Sequence, residues 1–334
     1  EFDIVHSQMQ FYLGVLAMTV AKRQQIPHFT TIHSLYTEMI DDYPLMITSG
    51  LIAMSFGYPI MFRSRPILPF KNRHEIRELR QEDAKSVMKR QGWRLTSEFA
   101  NRCDYCIAPS RHLSEILLEA GLTTPYSVFP NCIDTSRYAA ATTDASPLTK
   151  KRGEKYIVCV ARLSAEKRQH VLVEAMEHLE DPAAKLIFVG TGPTEKELRA
   201  MVAERGLEER IIFTGSLPAD HVAAVLKQAD LFVLASYHFD NQPMVFLEAA
   251  ACGVPVVYCD ERLTEALTEE NAVLTDGIEG EDFAKVFDEL LADPARLKRL
   301  SHGALKVAKQ FDSMEMAKKL VALYEKVINE KTRE

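Results

Sequence analysis

The second half of the chain is constrained most strongly by a regular alternation of short apolar runs with longer amphipathic stretches. Continuous apolar strands between helices indicate a parallel sheet that is covered on both faces. Strands are predicted at 156–160, 185–189, 211–213, 231–234, 254–258 and 272–274, and helices at 170–179, 194–205, 219–228, 243–251, 281–291 and 294–310. The pattern therefore predicts a doubly wound α/β domain.

The first half shows the same alternation in a shorter form. Strands are predicted at 3–6, 29–32, 105–108 and 126–128, and helices at 13–23 and 112–119. The chain opens directly on a strand, so we expect this Rossmann-like domain to be incomplete at its start. Residues 142–153 are rich in Thr, Ser, Pro, Lys and Gly, which is typical of a linker. The expected domains are 1–150, with the linker, and 151–334.

Composition narrows the range of partners. The 334 residues carry a formal net charge of −7, and a mildly acidic chain has no general electrostatic reason to bind nucleic acid. No secretory signal is evident and the six cysteines lie mostly in apolar surroundings, so a reduced, cytoplasmic chain is expected. Cys103 and Cys106 form a CxxC pair, but with a helix-like stretch before it and a strand-like stretch after it, the reverse of a redox motif. Packing is the favoured interpretation, and no metal site is predicted.

An apolar segment interrupts the first domain. Residues 43–62 form an uncharged run of 20, and residues 60–102 that follow contain 11 Lys and Arg against 5 Asp and Glu. The run is long enough to span a bilayer, yet it contains two prolines and two glycines. Three interpretations stay open: a membrane span, a membrane-surface segment next to anionic headgroups, or an ordinary buried insertion with a solvated basic helix beside it.

Candidate phosphate ligands follow three predicted strands of the second half. Arg162 and Lys167 lie at a strand-to-helix turn, where two cations can bind a diphosphate. The segments Gly190-Thr191-Gly192-Pro193 and Phe213-Thr214-Gly215 follow the next two strands. Such small residues occur where a backbone must come close to a ligand, although glycine after a strand is most often just a turn.

Two carboxylates bracket the start of a later helix. Asp240 and Glu248 are eight residues apart in the sequence. Pro243 suits the first helical turn, which would leave the N–H groups of Met244 and Val245 for a phosphate. Glu248 could accept hydrogen bonds from a ribose diol, and Asp240 from the hydroxyls of a sugar.

In order and spacing, these motifs resemble the donor-binding half of the retaining glycosyltransferases of family 4 (group 1), and the resemblance covers most of residues 155–330. It implies a GT-B fold, in which two Rossmann-like domains face a cleft. It also implies that Arg162 and Lys167 bind the pyrophosphate and that Glu248 binds the ribose. Asp240 stands where the family usually has Glu, which puts the choice of donor sugar in question.

Segments of the first half resemble the other half of the same family. They are Asp3-Ile4-Val5-His6-Ser7-Gln8, Thr31-Ile32-His33-Ser34-Leu35-Tyr36, Ala108-Pro109-Ser110 and Pro130-Asn131-Cys132-Ile133-Asp134. His33 matches the position that the family places beside the donor sugar, and is therefore a candidate active-site residue. The family's opening strand and glycine-rich loop have no counterpart before Glu1, which agrees with the expected incomplete first domain.

The expected reaction is transfer of a hexose, glucose from a UDP-linked donor, to a lipid such as diacylglycerol, with retention at the anomeric carbon. The segments around His6 and His33 resemble the diacylglycerol glucosyltransferase branch most, and a membrane-surface segment would place the protein on the inner face of the cell membrane. No Asp-x-Asp motif occurs, so we expect cationic side chains in place of a metal, and no cofactor besides the nucleotide sugar. Two alternatives remain: a mannosyl- or glucosyltransferase with a phosphatidylinositol-like or soluble sugar acceptor, and a catalytically silent nucleotide-sugar-binding protein.

Overall fold

The computed structural model describes residues 2–33, 35–40, 43–62 and 83–333. It divides into two compact units. Unit 1 comprises residues 1–130 and 319–334, and unit 2 comprises residues 131–318. Each unit contains its own parallel sheet and its own hydrophobic core.

Unit 1 contains a sheet of four short parallel strands. The strands are β1 (Val5–Ser7), β2 (His28–Thr31), β3 (Tyr105–Ala108) and β4 (Tyr126–Val128), and their order in the sheet is β1-β2-β3-β4. The helices in the described part of its first 130 residues are α1 (Tyr12–Gln24), α2 (Pro44–Phe62), α3 (Ala84–Ala100) and α4 (Arg111–Glu119). The four predicted strands are confirmed: β3 and β4 have the predicted bounds, and the ends of β1 and β2 are shifted by one or two residues.

Helix α3 provides much of the core of unit 1. Asp83 caps its start by accepting hydrogen bonds from the backbone N–H groups of Lys85 and Ser86. Leu95 and Phe99 on this helix are fully buried. The cysteines of the CxxC pair are buried in the same unit as free thiols, and burial raises the pKa of Cys106 to about 12. A thiol in that state is inert at neutral pH, which agrees with packing as the role of the pair.

Helix α2 is the apolar run found in the sequence. It buries Ile47, Leu51, Met54 and Tyr58, which share one face, against the rest of unit 1. By length and composition it is the one helix among the described residues that could cross a membrane, over Pro44–Met61, and 22% of those residues are buried. Helix α2 thus buries one side in unit 1 and exposes the other, and the membrane-surface interpretation stays a prediction. The basic residues Arg63, Arg65, Lys71 and Arg73 lie outside the described residues.

Unit 2 contains a sheet of six parallel strands. The strands are β5 (Lys155–Val160), β6 (Ala184–Val189), β7 (Ile211–Gly215), β8 (Leu231–Leu234), β9 (Val256–Tyr258) and β10 (Ala272–Leu274), and their order is β10-β9-β8-β5-β6-β7. The helices are α5 (Thr135–Ala140), α6 (Gln169–His178), α7 (Glu195–Glu204), α8 (Ala219–Leu226), α9 (Met244–Ala251), α10 (Gly280–Leu291) and α11 (Pro294–Gln310). All six strands and six of these helices match predicted elements within a few residues.

The strand order of unit 2 places the candidate site. The first strand of the sheet in sequence, β5, has β6 on one side and β8 on the other. The chain therefore builds outward from β5 in one direction and later returns to its other side. The crevice at such a reversal of strand order, outside the carboxyl ends of the strands, is where open α/β sheets bind ligands.

The last helix, α12 (Ser313–Arg333), contributes its residues from Lys319 onward to unit 1. Val327 and Tyr324 pack against Phe29 of β2, and the hydroxyl of Tyr324 lies 2.5 Å from Nδ1 of His6. From the sequence we predict no helix after residue 310 and place residues 151–334 in the second domain, because no local pattern shows on which sheet an apolar helix face packs.

The boundary at Pro130 also differs from the one expected at residue 150. The expected linker lies within unit 2, where Nζ of Lys150 is 2.5 Å from the carboxylate of Asp230. Tyr138 of α5 packs in a cluster with Leu247 and Ala250 of α9. These contacts attach residues 131–153 to the second sheet, although their composition is typical of a linker.

Candidate functional site

Lys167 and Asp240 form the centre of the candidate site in unit 2. Lys167 follows β5 and Asp240 follows β8, and because these strands are neighbours the two side chains meet: Nζ of Lys167 lies 2.6 Å from Oδ1 of Asp240. The ammonium group also lies 5.2 Å from the centre of the Phe239 ring. The hydroxyl of Ser236 donates a hydrogen bond to the other carboxylate oxygen. The structure thus brings together two predicted site residues that are distant in sequence.

Arg162 has a carboxylate partner of its own. Its Nη2 atom lies 2.5 Å from Oε1 of Glu166, and Ser164 donates a hydrogen bond of 2.6 Å to the same oxygen. Burial raises the pKa of Glu166, but the hydrogen bonds from Ser164 and Arg162 outweigh it and leave the pKa below its ordinary value. Half of the Arg162 side chain remains exposed, so the guanidinium can still reach a ligand in solvent.

The glycines after β6 have a role inside the protein. A Cβ atom on Gly190 would lie 2.1 Å from the carbonyl oxygen of Ala161, and one on Gly192 would lie 2.1 Å from that of Leu163. Their loop therefore packs directly on the loop that carries Arg162. A direct ligand role for Gly190 and Gly192 stays a prediction.

At Gly215, the last residue of β7, there is space for a side chain. Gly215 has a φ of 72°, and a Cβ there would contact nothing within 4 Å, so glycine is required by backbone conformation. The Thr214 hydroxyl donates to the Gly215 carbonyl oxygen at 3.0 Å, and the Gly190 N–H donates to that same oxygen at 2.9 Å. The three predicted turns thus lie side by side at one edge of the sheet.

Helix α9 begins where the sequence predicted. Pro243 is its N-cap residue and no side chain caps it. The N–H groups of Met244 and Val245, in the first turn, have no intrahelical acceptor, and Met244 is exposed. Next to this turn, the Gln242 side chain accepts a hydrogen bond of 2.6 Å from the N–H of Asn131. This helix end can therefore receive an anion.

Glu248 lies one turn further along α9. Burial raises its pKa, while a hydrogen bond from the Tyr138 hydroxyl and the nearby charge of Arg137 lower it. Arg137 in turn pairs with Asp220 of α8 at 2.7 Å. The carboxylate is oriented by a neighbouring helix, as a group that accepts two hydrogen bonds from a diol needs to be.

His33 belongs to unit 1 and follows β2. Its Nε2 atom lies 2.6 Å from Oε1 of Gln8, which follows the neighbouring strand β1. Because the amide oxygen only accepts, the imidazole donates from Nε2. Burial lowers the pKa of His33, which favours the neutral ring at pH 7.

One cluster could be mistaken for a metal site. Among the described residues, His238, Asp260 and Glu261 have ligand atoms within 4.8 Å of one another. However, Arg262 binds both oxygens of Asp260, at 3.0 and 2.9 Å, and the N–H of His238 donates to Asp260 at 2.8 Å. These contacts already occupy the buried carboxylate, so the donor set does not suit a cation. Metal independence of the reaction stays a prediction.

Four residues near the site were missed from sequence. Ser164, Glu166, Ser236 and Tyr138 orient the predicted ligands without being recognisable ligands themselves. The one available signal was the position of Glu166 between the two cations of the turn. The positions of Ser236 and Tyr138 matter only through strand order and helix packing.

Comparison with known proteins agrees with this geometry. Residues 141–307 match the model of the family "Glycosyl transferases group 1", and residues 1–137 match that of "Glycosyltransferase Family 4". The chain is 27% identical over 266 residues to alpha-monoglucosyldiacylglycerol synthase of Streptococcus pneumoniae R6, covering 77% of this chain and 52% of that protein. It is 30% identical over 180 residues to a GDP-mannose-dependent alpha-(1-6)-phosphatidylinositol monomannoside mannosyltransferase of Mycolicibacterium smegmatis, covering 50% and 47%. The chain thus spans about half the length of these two relatives.

A solved structure confirms the predicted GT-B fold class. HepE from Anabaena, crystallised with UDP, aligns with a TM-score of 0.73 over 98% of this chain and 79% of that one, at 20% identity. At that identity the similarity concerns the fold.

Proposed function

The chain belongs to the group 1 glycosyl transferases, and from that premise we propose that it transfers glucose from UDP-glucose to a lipid hydroxyl, such as that of diacylglycerol. The observation that carries the donor half of the proposal is the arrangement in unit 2. Arg162 and Lys167 follow β5, and Asp240 and the start of α9 follow the neighbouring strand β8, at the reversal of strand order. Lys167 and Asp240 are in direct contact there.

The charges suggest how the donor binds. Arg162 is paired with Glu166 and Lys167 with Asp240, so neither cation faces an empty site. A diphosphate can replace Asp240 as the partner of the Lys167 ammonium. The Asp240 carboxylate is then available to accept hydrogen bonds from hydroxyls of the sugar. Lys167, Arg162 and the N–H groups of Met244 and Val245 would then stabilise the charge that develops on the leaving diphosphate. This proposal needs no metal ion.

Nucleoside recognition is assigned to Glu248. Its ionised carboxylate would accept hydrogen bonds from the ribose diol, and the Tyr138 hydroxyl fixes its orientation. Thr214 and Gly215, at the end of β7, are further candidate contacts of the nucleotide. We place His33 next to the sugar as a neutral hydrogen-bond donor or acceptor, as the family resemblance implies.

The lipid acceptor is supported by unit 1. Helix α2 exposes Leu45, Ile52, Phe56 and Ile60 along one side. Helix α1 exposes a second apolar stripe, formed by Tyr12, Leu13, Leu16 and Val20. Lys22 and Arg23 follow that stripe at the end of α1. Exposed apolar faces next to cations suit an anionic bilayer surface, so we propose peripheral association with the cytoplasmic face of the membrane.

A second function is favoured by one similarity. The mycobacterial relative at 30% identity uses, by its name, GDP-mannose and a phosphatidylinositol mannoside. A mannosyltransferase that acts on a phosphatidylinositol-like lipid is therefore the alternative. A soluble sugar acceptor or a catalytically silent donor-binding protein are further outcomes of the same test.

The test is a donor-by-acceptor matrix. UDP-glucose or GDP-mannose is incubated with the protein and with one of four acceptors: vesicles that contain diacylglycerol, vesicles that contain phosphatidylinositol, vesicles with neither, or a soluble sugar. Nucleoside diphosphate release and the glycosylated product are measured. We expect UDP release and glucosyldiacylglycerol only when UDP-glucose and diacylglycerol are both present, and no product with Lys167→Ala. A product from GDP-mannose and phosphatidylinositol would establish the alternative, and binding of UDP with no turnover in any arm would establish the silent protein.

A further inference from the structure

Glu166 is a buried acid at the surface turn that carries both proposed phosphate ligands. Its side chain is 3% exposed, whereas that of its partner Arg162 is 51% exposed. A buried carboxylate is strongly destabilising unless it is paired and hydrogen-bonded. Here Oε1 of Glu166 accepts two hydrogen bonds, from Nη2 of Arg162 at 2.5 Å and from the hydroxyl of Ser164 at 2.6 Å.

The surrounding turn fixes this carboxylate. Residues Ala165–Lys167 form a 3-10 turn. Immediately after it, the fully buried Gln169 donates from Nε2 to the carbonyl oxygen of Arg162 at 2.8 Å. Thus the backbone of Arg162 is fixed by Gln169 and one edge of its guanidinium by Glu166. The remaining N–H donors of a planar guanidinium then have a defined direction.

The other proposed cation has a different kind of partner. Lys167 is bound to Asp240, and in the proposed reaction Asp240 leaves it for the sugar. Glu166 has no such exchange available, because it is enclosed by its own turn. Its charge therefore stays beside Arg162 in both the free and the donor-bound protein.

We propose that Glu166 is a positioning residue, which acts through Arg162 by orienting the guanidinium toward the diphosphate of the donor. The inference rests on the proposed function, in which Arg162 contacts that diphosphate. A charge effect alone predicts the opposite result, since a carboxylate beside the site repels a diphosphate. The sign of the change in affinity on removing the charge therefore separates orientation from simple repulsion.

The experiment measures binding of UDP and of uridine, which lacks the phosphates, to the full chain. The variants are Glu166→Gln, Arg162→Ala and the double variant. Glutamine keeps the shape and an acceptor oxygen for Ser164 and Arg162, but it removes the negative charge that pairs with the guanidinium. We expect Glu166→Gln to weaken the binding of UDP roughly tenfold and the binding of uridine less than about twofold. In the Arg162→Ala background it should have no further effect.

Glu98→Gln is the matched control. Glu98 forms the same kind of pair, with Arg102 four residues along the chain, and belongs to unit 1, whereas the proposed diphosphate site is in unit 2. It should leave UDP affinity unchanged.

The outcomes distinguish the positioning role from the diphosphate assignment. Unchanged or tighter UDP binding by Glu166→Gln, with Arg162→Ala still weak, overturns the positioning role alone. Equal weakening of UDP and uridine, or additive effects in the double variant, also overturns it, because both indicate a general structural role. If Arg162→Ala binds UDP normally, the diphosphate assignment itself is wrong and the inference about Glu166 is overturned with it.

Discussion

The helices of unit 2 bury their apolar faces, whereas helices α1 and α2 of unit 1 leave large apolar side chains in solvent. Among the described residues of unit 2, the exposed large hydrophobic residues are Met244, Leu274, Leu305 and Met314, which are scattered. In unit 1, Phe56 and Ile60 of α2 are 73% and 79% exposed on one side of one helix. Single exposed apolar residues are common on protein surfaces, whereas a contiguous exposed apolar patch is typical of a surface that contacts a membrane or another protein.

The same contrast holds for the space around glycines. In unit 2, Gly190 and Gly192 lie against a neighbouring backbone, whereas a Cβ added to Gly50 or Gly57 of α2 would meet nothing within 4 Å. Unit 2 is thus tightly packed, and its two candidate cations are already paired with carboxylates. Unit 1 presents a helix, α2, that exposes large apolar side chains along one side. The predictions below test this division of roles, from the largest expected effect to the smallest.

Removing the cations of unit 2 should have the largest effect. Arg162→Ala and Lys167→Ala should each lower turnover of the donor by roughly two to three orders of magnitude, because each stabilises charge on the leaving diphosphate. Initial rates of UDP release and thermal unfolding are the measurements. A matched change in unit 1, Lys22→Ala with Arg23→Ala, should leave turnover of a detergent-solubilised acceptor unchanged. Near-normal rates in both unit 2 variants would remove the diphosphate assignment.

Replacing a glycine by alanine should have opposite effects on stability in the two units. Gly192→Ala places Cβ against the Leu163 carbonyl oxygen and should cost about 3 kcal/mol. Gly57→Ala in α2 meets open space and should gain about 0.5–1 kcal/mol from helix propensity. Urea unfolding followed by circular dichroism reports on both units.

The single tryptophan, Trp93, is buried in unit 1, so its fluorescence reports on that unit alone. The unfolding transition measured by this fluorescence should shift in Gly57→Ala but not in Gly192→Ala. Equal shifts of the fluorescence transition in both variants would contradict independent packing of the units.

Substitution of Glu248 in α9 and of Asp240 in the preceding loop should affect different steps: binding of UDP and transfer of the sugar. Glu248→Gln should weaken UDP binding roughly tenfold, whereas Asp240→Asn should mainly slow sugar transfer. Because burial raises the pKa of Glu248, the ionised form is lost as pH falls through that raised pKa, and UDP affinity should fall with it. Calorimetry across pH is the measurement, and Glu248→Gln should lack this acidic limb. If Asp240→Asn loses UDP and Glu248→Gln does not, the two roles are reversed.

The smallest effect concerns the exposed side of α2. Phe56→Ser and Ile60→Ser should each reduce binding to anionic vesicles severalfold with little change in stability, because both side chains lie in solvent in the free protein. Flotation with anionic and zwitterionic vesicles at low and high salt is the measurement. Added salt should weaken binding without abolishing it. Wild-type protein that ignores anionic vesicles at low salt would favour a soluble acceptor.

Sequence alone determined the parts that depend on local periodicity and on motif spacing. The six strands of unit 2 follow from apolar runs, and the start of α9 immediately after Pro243 follows from an amphipathic stretch and the preference of proline for helix starts. The candidate ligands Arg162, Lys167, Asp240 and Glu248 were found because each follows a predicted strand or begins a predicted helix. That much requires no knowledge of which elements touch.

Only the tertiary structure decided which of these groups are partners and where the units divide. Lys167 meets Asp240 because β5 and β8 are neighbours in the sheet, and strand order is not encoded in any local pattern. Glu166 orients Arg162 because the turn buries its carboxylate, and the end of α12 belongs to unit 1 because its apolar face packs on Phe29. Burial and pairing are properties of two segments at once, and for that physical reason the sequence of either segment by itself does not specify them.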